Sequence, residues 1–169
     1  MRPTADIADQ PIAPGMSAGS VTNDTEQALI VADLIIKGRR RIDPEQFAKR
    51  LLAWEDDMKS RGSLDLLGPS TKLALEQVRC GADIATTGRT STTNSAAIRV
   101  IPVGIANSPE DIIRLANRIY ESCQVAHDTV AGFRSAAPIA TTVSLGLEGM
   151  TVRQALNESL RLVRAMESA

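Results

Sequence analysis

The sequence predicts an all-α protein, and three observations lead to this fold class. Apolar residues make up 43% of the 169-residue chain but aromatic residues only 2%, so the core must consist mainly of Ala, Leu, Ile and Val. Alanine is the best intrinsic helix former. Helix-start signals recur along the chain and are followed by apolar residues at helical spacing, whereas no segment is a convincing strand.

The first predicted helix follows Asn23-Asp24-Thr25-Glu26, which has the form of a capping box. Residues 28–36 are apolar on nearly every side, and a helix of this kind is expected in the middle of a protein. Its expected end is Gly38. The preceding residues 1–21 hold three prolines and two glycines and predict an extended lead-in, while residues 22–169 predict a single helical domain.

Two further helices are predicted in the first half of the chain. Asp43-Pro44-Glu45-Gln46 is a start signal with proline at the first helical position, and Gly62 is the expected stop. One face of this helix carries four apolar side chains, at Phe47, Leu51, Trp54 and Met58. The next helix is expected over residues 68–81.

Residues 82–93 are rich in threonine and predict a polar loop. Residues 94–104 predict a short helix whose last turn is disturbed by Pro102. A further helix is expected to start at Ser108-Pro109-Glu110-Asp111.

The last part of the chain predicts two helices. Residues 127–145 are rich in alanine and predict one long helix, which Pro138 is expected to bend. Thr151-Val152-Arg153-Gln154 is the expected cap of a final helix that runs towards Met166.

Composition excludes several classes of protein. The formal net charge of −1 does not support general nucleic-acid binding. The basic residues 37–41 can be interpreted as a phosphate-binding patch, but a solvated helix end is favoured, since cations suit that end of the helix dipole. Two cysteines, Cys80 and Cys123, do not make a disulfide framework. With no signal peptide or membrane-spanning pattern, the expected location is the cytoplasm.

The strongest candidate site is Thr22-Asn23-Asp24-Thr25, which places hydroxyl, amide and carboxylate oxygens in four consecutive residues. Hard cations such as Mg²⁺ take oxygen ligands, so these side chains are candidate metal ligands. The alternative is an ordinary helix cap, because caps of this composition are common.

The segment from Gly19 to Leu29, which contains these residues, resembles the signature of the ADP-ribosylglycohydrolase family, in which G-x-x-T-D-D-T opens a buried helix. Trp54, Gly68-Pro69-Ser70-Thr71 and the segment from Thr93 to Gly104 follow in the family's order. The last of these resembles the family's N-G-A/S-A-M-R-x-x-P-x-G segment. The resemblance implies an orthogonal multi-helix bundle, of which this chain covers the middle and is truncated at both ends.

The resemblance also implies a function, the magnesium-assisted hydrolysis of a glycosidic bond to ADP-ribose or a related ribosyl group. By this resemblance Thr22, Asn23 and Asp24 hold one or two Mg²⁺ ions, and Asp24 is the catalytic residue. The implied ligand contacts are Thr25, Asn94, Ser95, Ala96 and His127. For His127 the alternative is a helix-end histidine beside Asp128.

The sequence departs from the family pattern at several points. Asn23 replaces the first aspartate of T-D-D, which removes one negative charge from a dication site, and Ser95 replaces a glycine. The family's opening G-D-A-x-G and closing D-x-D-T/S segments are missing. Two hypotheses therefore remain: an enzyme whose missing ligands come from elsewhere, and a non-catalytic helical module that binds a nucleotide or a partner. Uncovered apolar helix faces would favour self-association or a partner chain.

Overall fold

A computed structural model describes residues 21–62, 67–91 and 93–166, and within these ranges the chain forms nine helices and no strand. The all-α prediction is confirmed. The predicted lead-in over residues 1–21 lies, except for its last residue, outside the described ranges, and the single-domain division stays a prediction. The helices are α1 (Asn23–Lys37), α2 (Pro44–Ser60), α3 (Pro69–Arg79), α4 (Ile84–Thr87), α5 (Ser95–Arg99), α6 (Ile101–Ala106), α7 (Ile112–His127), α8 (Val130–Leu147) and α9 (Val152–Met166); a 3-10 turn (Gly88–Thr90) follows α4.

Local capping chemistry fixes the starts of α2 and α9 where the sequence places them. The Asp43 carboxylate accepts a hydrogen bond from the backbone N–H of Gln46 at 2.9 Å. At α9, the Gln154 side chain accepts from the backbone N–H of Thr151 at 3.1 Å, and the Thr151 hydroxyl accepts from the N–H of Gln154 at 3.4 Å. Such reciprocal bonds satisfy donors that the first helical turn leaves unpaired.

The start of α1 differs from the prediction. The cap residue is Thr22, in extended conformation, and its side chain makes no capping hydrogen bond among the described residues. Asn23 is already helical, so its side chain is not positioned over the helix end. It instead accepts a hydrogen bond from Gln27, one turn along the same helix. The predicted capping box is therefore wrong.

In two segments the helices of the structure differ from those predicted. Residues 82–93, expected to be a loop, contain α4 because Asp83 caps it and the Thr87 hydroxyl donates to the carbonyl of Val125 on α7 at 2.8 Å. Residues 94–104 form two short helices separated at Val100. Pro102 lies in the first turn of α6, where its missing N–H costs nothing, rather than in a disturbed last turn.

The prediction of one long helix over residues 127–145 is wrong about where the helix starts. Helix α7 ends at His127, and Thr129 begins α8 by accepting a hydrogen bond from the N–H of Gly132 at 2.9 Å. The corner is tight, because a side chain at Gly132 would come closer than 3.0 Å to the His127 carbonyl oxygen. Pro138 lies inside α8.

Burial confirms the predicted core face of α2, where Phe47, Leu51, Trp54 and Met58 are each at most 8% exposed. Helix α1 is buried on one side only. Leu29 is 59% and Ile36 78% exposed, although α1 packs against α2, α5 and α6. The expectation that α1 is surrounded on every side is therefore wrong for the described residues. No described helix has both the length and the hydropathy needed to cross a membrane.

Candidate functional site

The segment Thr22-Asn23-Asp24-Thr25 lies at the N-terminal end of α1, with Thr22 and Asn23 partly buried and Asp24 and Thr25 exposed. The side chains of this segment carry three kinds of oxygen, hydroxyl, amide and carboxylate, at four consecutive positions. Asn23 Oδ1 accepts from Gln27 Nε2 at 3.0 Å, which fixes the direction in which the amide oxygen points.

This segment supplies only part of the ligand set that a magnesium site needs. The donor type suits Mg²⁺, but a helix N-terminus carries partial positive charge and disfavours a cation unless carboxylates offset it. Asp24 is the one carboxylate of the segment, and the described residues contain no group of three His, Cys, Asp or Glu side chains that would hold a metal. The fit is therefore partial, and further ligands are needed.

A groove of about 560 Å³ runs along α1 from this segment, between α1 and helices α5 and α6. Asp24 and Thr25 line one end, and the rest of its wall is apolar, with Leu29, Ile36, Ile101 and Ile105 among its residues. These four side chains are all more than 40% exposed. An apolar wall suits the side chains of another polypeptide better than the charged diphosphate of a nucleotide.

Behind this segment lies a fully buried cation, Arg99 at the end of α5, with 0% of its surface exposed. Its guanidinium donates from Nη1 to Gln27 Oε1 at 3.1 Å, from Nη2 to His127 Nδ1 at 3.0 Å, and from Nε to the Ser122 carbonyl at 3.3 Å. The Phe47 ring lies beneath it, 5.1 Å from the guanidinium carbon. Helices α1, α2, α5 and α7 therefore meet at this side chain.

The environment of Arg99 stabilises its charge by hydrogen bonds and the aromatic face, since none of its described acceptors carries a formal charge. Burial lowers the pKa of Arg99 to about 10, which still leaves the guanidinium charged at neutral pH. A buried charge of this kind is costly if any of its acceptors is removed.

His127, at the end of α7, is 0% exposed, and both ring nitrogens are hydrogen-bonded: Nδ1 to Arg99, and Nε2 to Thr93 Oγ1 at 3.0 Å. Burial of the ring, reinforced by the Arg99 charge, lowers the pKa of His127 to about 3. In this structure the ring is enclosed behind Thr93, which is itself partly exposed. Direct ligand contact by His127 stays a prediction, and it would require the Thr93 segment to move.

The pKa of His127 predicts acid sensitivity. The unfolded chain has an ordinary histidine pKa near 6.5, so between about pH 6.5 and pH 3 it binds a proton that the folded protein excludes. The stabilisation is complete above pH 6.5 and is lost as the pH falls. We expect the free energy of unfolding to fall by about 2 kcal/mol between pH 7 and pH 5, measured by urea denaturation.

His127 is the chain's one histidine, so His127→Gln is a clean control for this loss. Glutamine has an acceptor and a donor but does not titrate in this range. Its free energy of unfolding should change little between pH 7 and pH 5. An equal loss in wild type and variant would show that other groups cause the acid sensitivity.

The third predicted segment, Asn94, Ser95 and Ala96, forms the start of α5, and its members differ in exposure. Asn94 is exposed, Ser95 partly buried and Ala96 fully buried, so Ala96 is not accessible to a ligand in this conformation. Ser95 Oγ lies 3.5 Å from the position that a Cβ on Gly68 would occupy, so this segment adjoins the start of α3. A phosphate contact here stays a prediction.

The structure joins the separate sequence motifs through side chains that sequence reasoning missed. Asn23 bonds Gln27, Gln27 bonds Arg99, Arg99 bonds His127, and His127 bonds Thr93, the residue before Asn94. One sequence signal draws attention to Arg99 without predicting its burial: it is the one charged residue among residues 94–109.

The chain is similar to known proteins over most of its length. The ADP-ribosylglycohydrolase family model matches residues 2–168. An uncharacterized protein of Archaeoglobus fulgidus is 31% identical over 154 residues, which are 90% of this chain and 48% of that protein. The uncharacterized protein YegU of Escherichia coli is 28% identical over 128 residues, 76% of this chain and 38% of its own length. The chain thus spans less than half the length of these two relatives.

Proposed function

The chain belongs to the ADP-ribosylglycohydrolase family, and from this we propose that it acts in the magnesium-assisted hydrolysis of a glycosidic bond to ADP-ribose or a related ribosyl group. The observation that carries the proposal is the continuous hydrogen-bond chain from Asn23 to Thr93. It holds together the two segments, residues 22–25 and 94–96, to which the family resemblance assigns metal and ligand contacts.

In the proposed reaction a water oxygen bonds to the anomeric carbon, the bond from that carbon to the acceptor breaks, and the acceptor leaves with a proton. When bound, Mg²⁺ would supply the positive charge that orients ribose hydroxyls and this water. Thr22, Asn23 and Asp24 are the proposed ligands from this chain. Asp24, the one full negative charge among them, is the proposed catalytic residue, accepting a hydrogen bond from the water.

The ligand contacts proposed for this chain lie on both sides of the network. Thr25 follows Asp24 on the exposed side of α1, and Asn94, Ser95 and the buried Ala96 stand at the start of α5. Backbone N–H groups at a helix start suit phosphate oxygens. Of the proposed contacts, the buried His127 is the one that reaches a ligand only through Thr93 in the described conformation.

A second candidate function is a non-catalytic family member that binds a nucleotide or a partner. The partial donor set at the start of α1 favours it, because hydrolysis needs a complete set of ligands held in place. The two functions differ in one measurable respect. The enzyme would release ADP-ribose from a modified substrate, whereas the non-catalytic protein would bind ADP-ribose without releasing it.

The apolar groove supports a further part of the proposal, a second copy of the chain or a partner chain that covers it. Because Asp24 lines one end of the groove, a chain that covers the groove is the proposed source of the missing oxygen ligands. Exposed apolar faces such as that of Leu29 and Ile36 favour association in water. Sedimentation velocity at high concentration separates the two occupants, since a monomer would exclude the second copy.

Isothermal titration calorimetry of the purified chain with Mg²⁺ and ADP-ribose tests the proposed function. We expect both to bind at millimolar concentration or below, and Asp24→Ala to weaken Mg²⁺ binding about tenfold or more, because it removes the one carboxylate of the segment. Asp57→Ala, which removes an exposed carboxylate on α2, is the matched control and should leave binding unchanged.

Two results would contradict the proposal. If neither Mg²⁺ nor ADP-ribose binds at millimolar concentration, this polypeptide is not the enzyme. If Asp24→Ala binds Mg²⁺ like wild type, residues 22–25 are not the metal site. Release of ADP-ribose from an ADP-ribosylated peptide, followed in the same samples, decides between the enzyme and the binding module.

A further inference from the structure

The buried Arg99 can only donate hydrogen bonds, because a guanidinium has five N–H donors and no acceptor. Every group that it hydrogen-bonds must therefore present an acceptor to it. Its hydrogen-bond partners among the described residues are Gln27 Oε1, His127 Nδ1 and the Ser122 carbonyl. Gln27 and His127 each have both a donor and an acceptor atom. Arg99 therefore determines that the acceptor atom of each side chain faces the guanidinium.

On the His127 side, Nδ1 must accept from Arg99, so the proton of the neutral ring is on Nε2. Nε2–H then donates to Thr93 Oγ1 at 3.0 Å. With its oxygen accepting from the ring, the Thr93 hydroxyl has its own proton to donate elsewhere. Among the described residues no acceptor takes it, and Thr93 is partly exposed at the end of the network.

On the Gln27 side, Oε1 faces Arg99, so the amide group Nε2 must face Asn23. It donates to Asn23 Oδ1 at 3.0 Å, which fixes the amide oxygen of Asn23 as an acceptor towards α1. Reversal of the Gln27 amide would place a donor against the guanidinium and an oxygen against an oxygen. The polarity of both branches therefore follows from one side chain.

We infer that Arg99 is a positioning residue that sets the hydrogen-bond polarity at both ends of the candidate site, with an oriented oxygen at Asn23 and an outward-donating hydroxyl at Thr93. Being fully buried, it touches no ligand itself. The Thr93 hydroxyl suits an oxygen acceptor, such as a hydroxyl, ether or phosphate oxygen of the bound molecule. This part of the inference rests on the proposed function, whereas the orientation of His127 does not.

The single histidine of the chain makes the inference testable by nitrogen NMR, because a protein labelled with ¹⁵N at histidine gives the signals of one ring. In wild type at pH 7 we expect a protonated Nε2 and an unprotonated Nδ1 that accepts a hydrogen bond. Arg99→Met removes the donors and keeps an unbranched apolar side chain, two heavy atoms shorter than arginine, and we expect the ring to lose this single tautomer. Arg114→Met, at an exposed position on α7, is the control and should keep it.

A protonated Nδ1 in wild type would overturn the inference, as would an unchanged His127 spectrum in Arg99→Met. The wild-type spectrum decides the point even if Arg99→Met does not fold. A purely space-filling role for Arg99 would lower stability without altering the tautomer.

Thr93→Val tests the proposed ligand contact of the Thr93 hydroxyl separately from the orientation of the His127 ring. Valine keeps the shape of threonine and removes the hydroxyl, while the Arg99 bond to Nδ1 remains. We expect the His127 tautomer to persist and ADP-ribose to bind about tenfold more weakly, as for the loss of one hydrogen bond to a charged group. Equal affinity would remove Thr93 from the ligand site. If wild type does not bind ADP-ribose, the proposed function fails, while the tautomer still decides the role of Arg99.

Discussion

Replacing Gly104 with alanine should lower the free energy of unfolding by about 2 kcal/mol or more, as is typical of overpacking in a closely packed core. Gly104 lies in α6 against α8. A Cβ at this position would lie closer to the Ala140 carbonyl oxygen than real Cβ atoms come, and 3.0 Å from both the Ala140 carbonyl carbon and Val143 Cβ. The obstructing atoms include backbone, which cannot rotate away, so the two helices must separate.

Helix propensity alone predicts the opposite sign for this change, because alanine is favoured over glycine inside a helix by about 1 kcal/mol. Gly146→Ala is the matched control, since Gly146 lies within α8 and a Cβ there meets no atom within 4 Å. It should stabilise the protein by about 0.5–1 kcal/mol. Thermal and urea unfolding of both variants measure the sign of each change in the free energy of unfolding. Stabilisation by Gly104→Ala would contradict the close α6–α8 contact.

These two glycines illustrate which parts of the fold are predictable from the sequence. Both stand in apolar, alanine-rich helical segments, and their different surroundings arise only when α6 meets α8. The starts of α2 and α9 are predictable because Asp43 and Thr151 bond to backbone groups within one turn. The break after His127 is set instead by a tight tertiary corner, where a side chain at Gly88 would collide with the backbone of residues 124–128.

The candidate site divides in the same way. Asn23 and Asp24 are candidates from the sequence alone, because oxygen donors in consecutive positions form a recognisable motif, and their role stays a prediction. Arg99 is not a candidate of this kind, because arginine is rarely buried and its burial depends on acceptors from α1 and α7 that lie 72 and 28 residues away. The family resemblance makes His127 a candidate ligand contact. Its enclosure between Arg99 and Thr93 becomes visible only in three dimensions.

Restoring the aspartate that the family signature has at position 23 should increase metal affinity. In Asn23→Asp the carboxylate still accepts the hydrogen bond from Gln27 Nε2, so the local geometry is retained. The added negative charge also suits the start of a helix. A unit charge about 4 Å from a dication contributes about 2 kcal/mol even in water, which corresponds to about thirtyfold in affinity.

We therefore expect Asn23→Asp to bind Mg²⁺ at least about tenfold more tightly than wild type in calorimetry at moderate salt, which partly screens the charge. Asn117→Asp adds the same charge at an exposed position on α7 and should leave Mg²⁺ affinity unchanged. Equal gains in both variants would mean that net charge alone attracts the ion. No gain at position 23 would mean that Asn23 does not face the metal. A gain confined to position 23 would locate the ion beside Asn23, and hydrolysis of an ADP-ribosylated peptide by this variant would then show whether the missing charge limits catalysis.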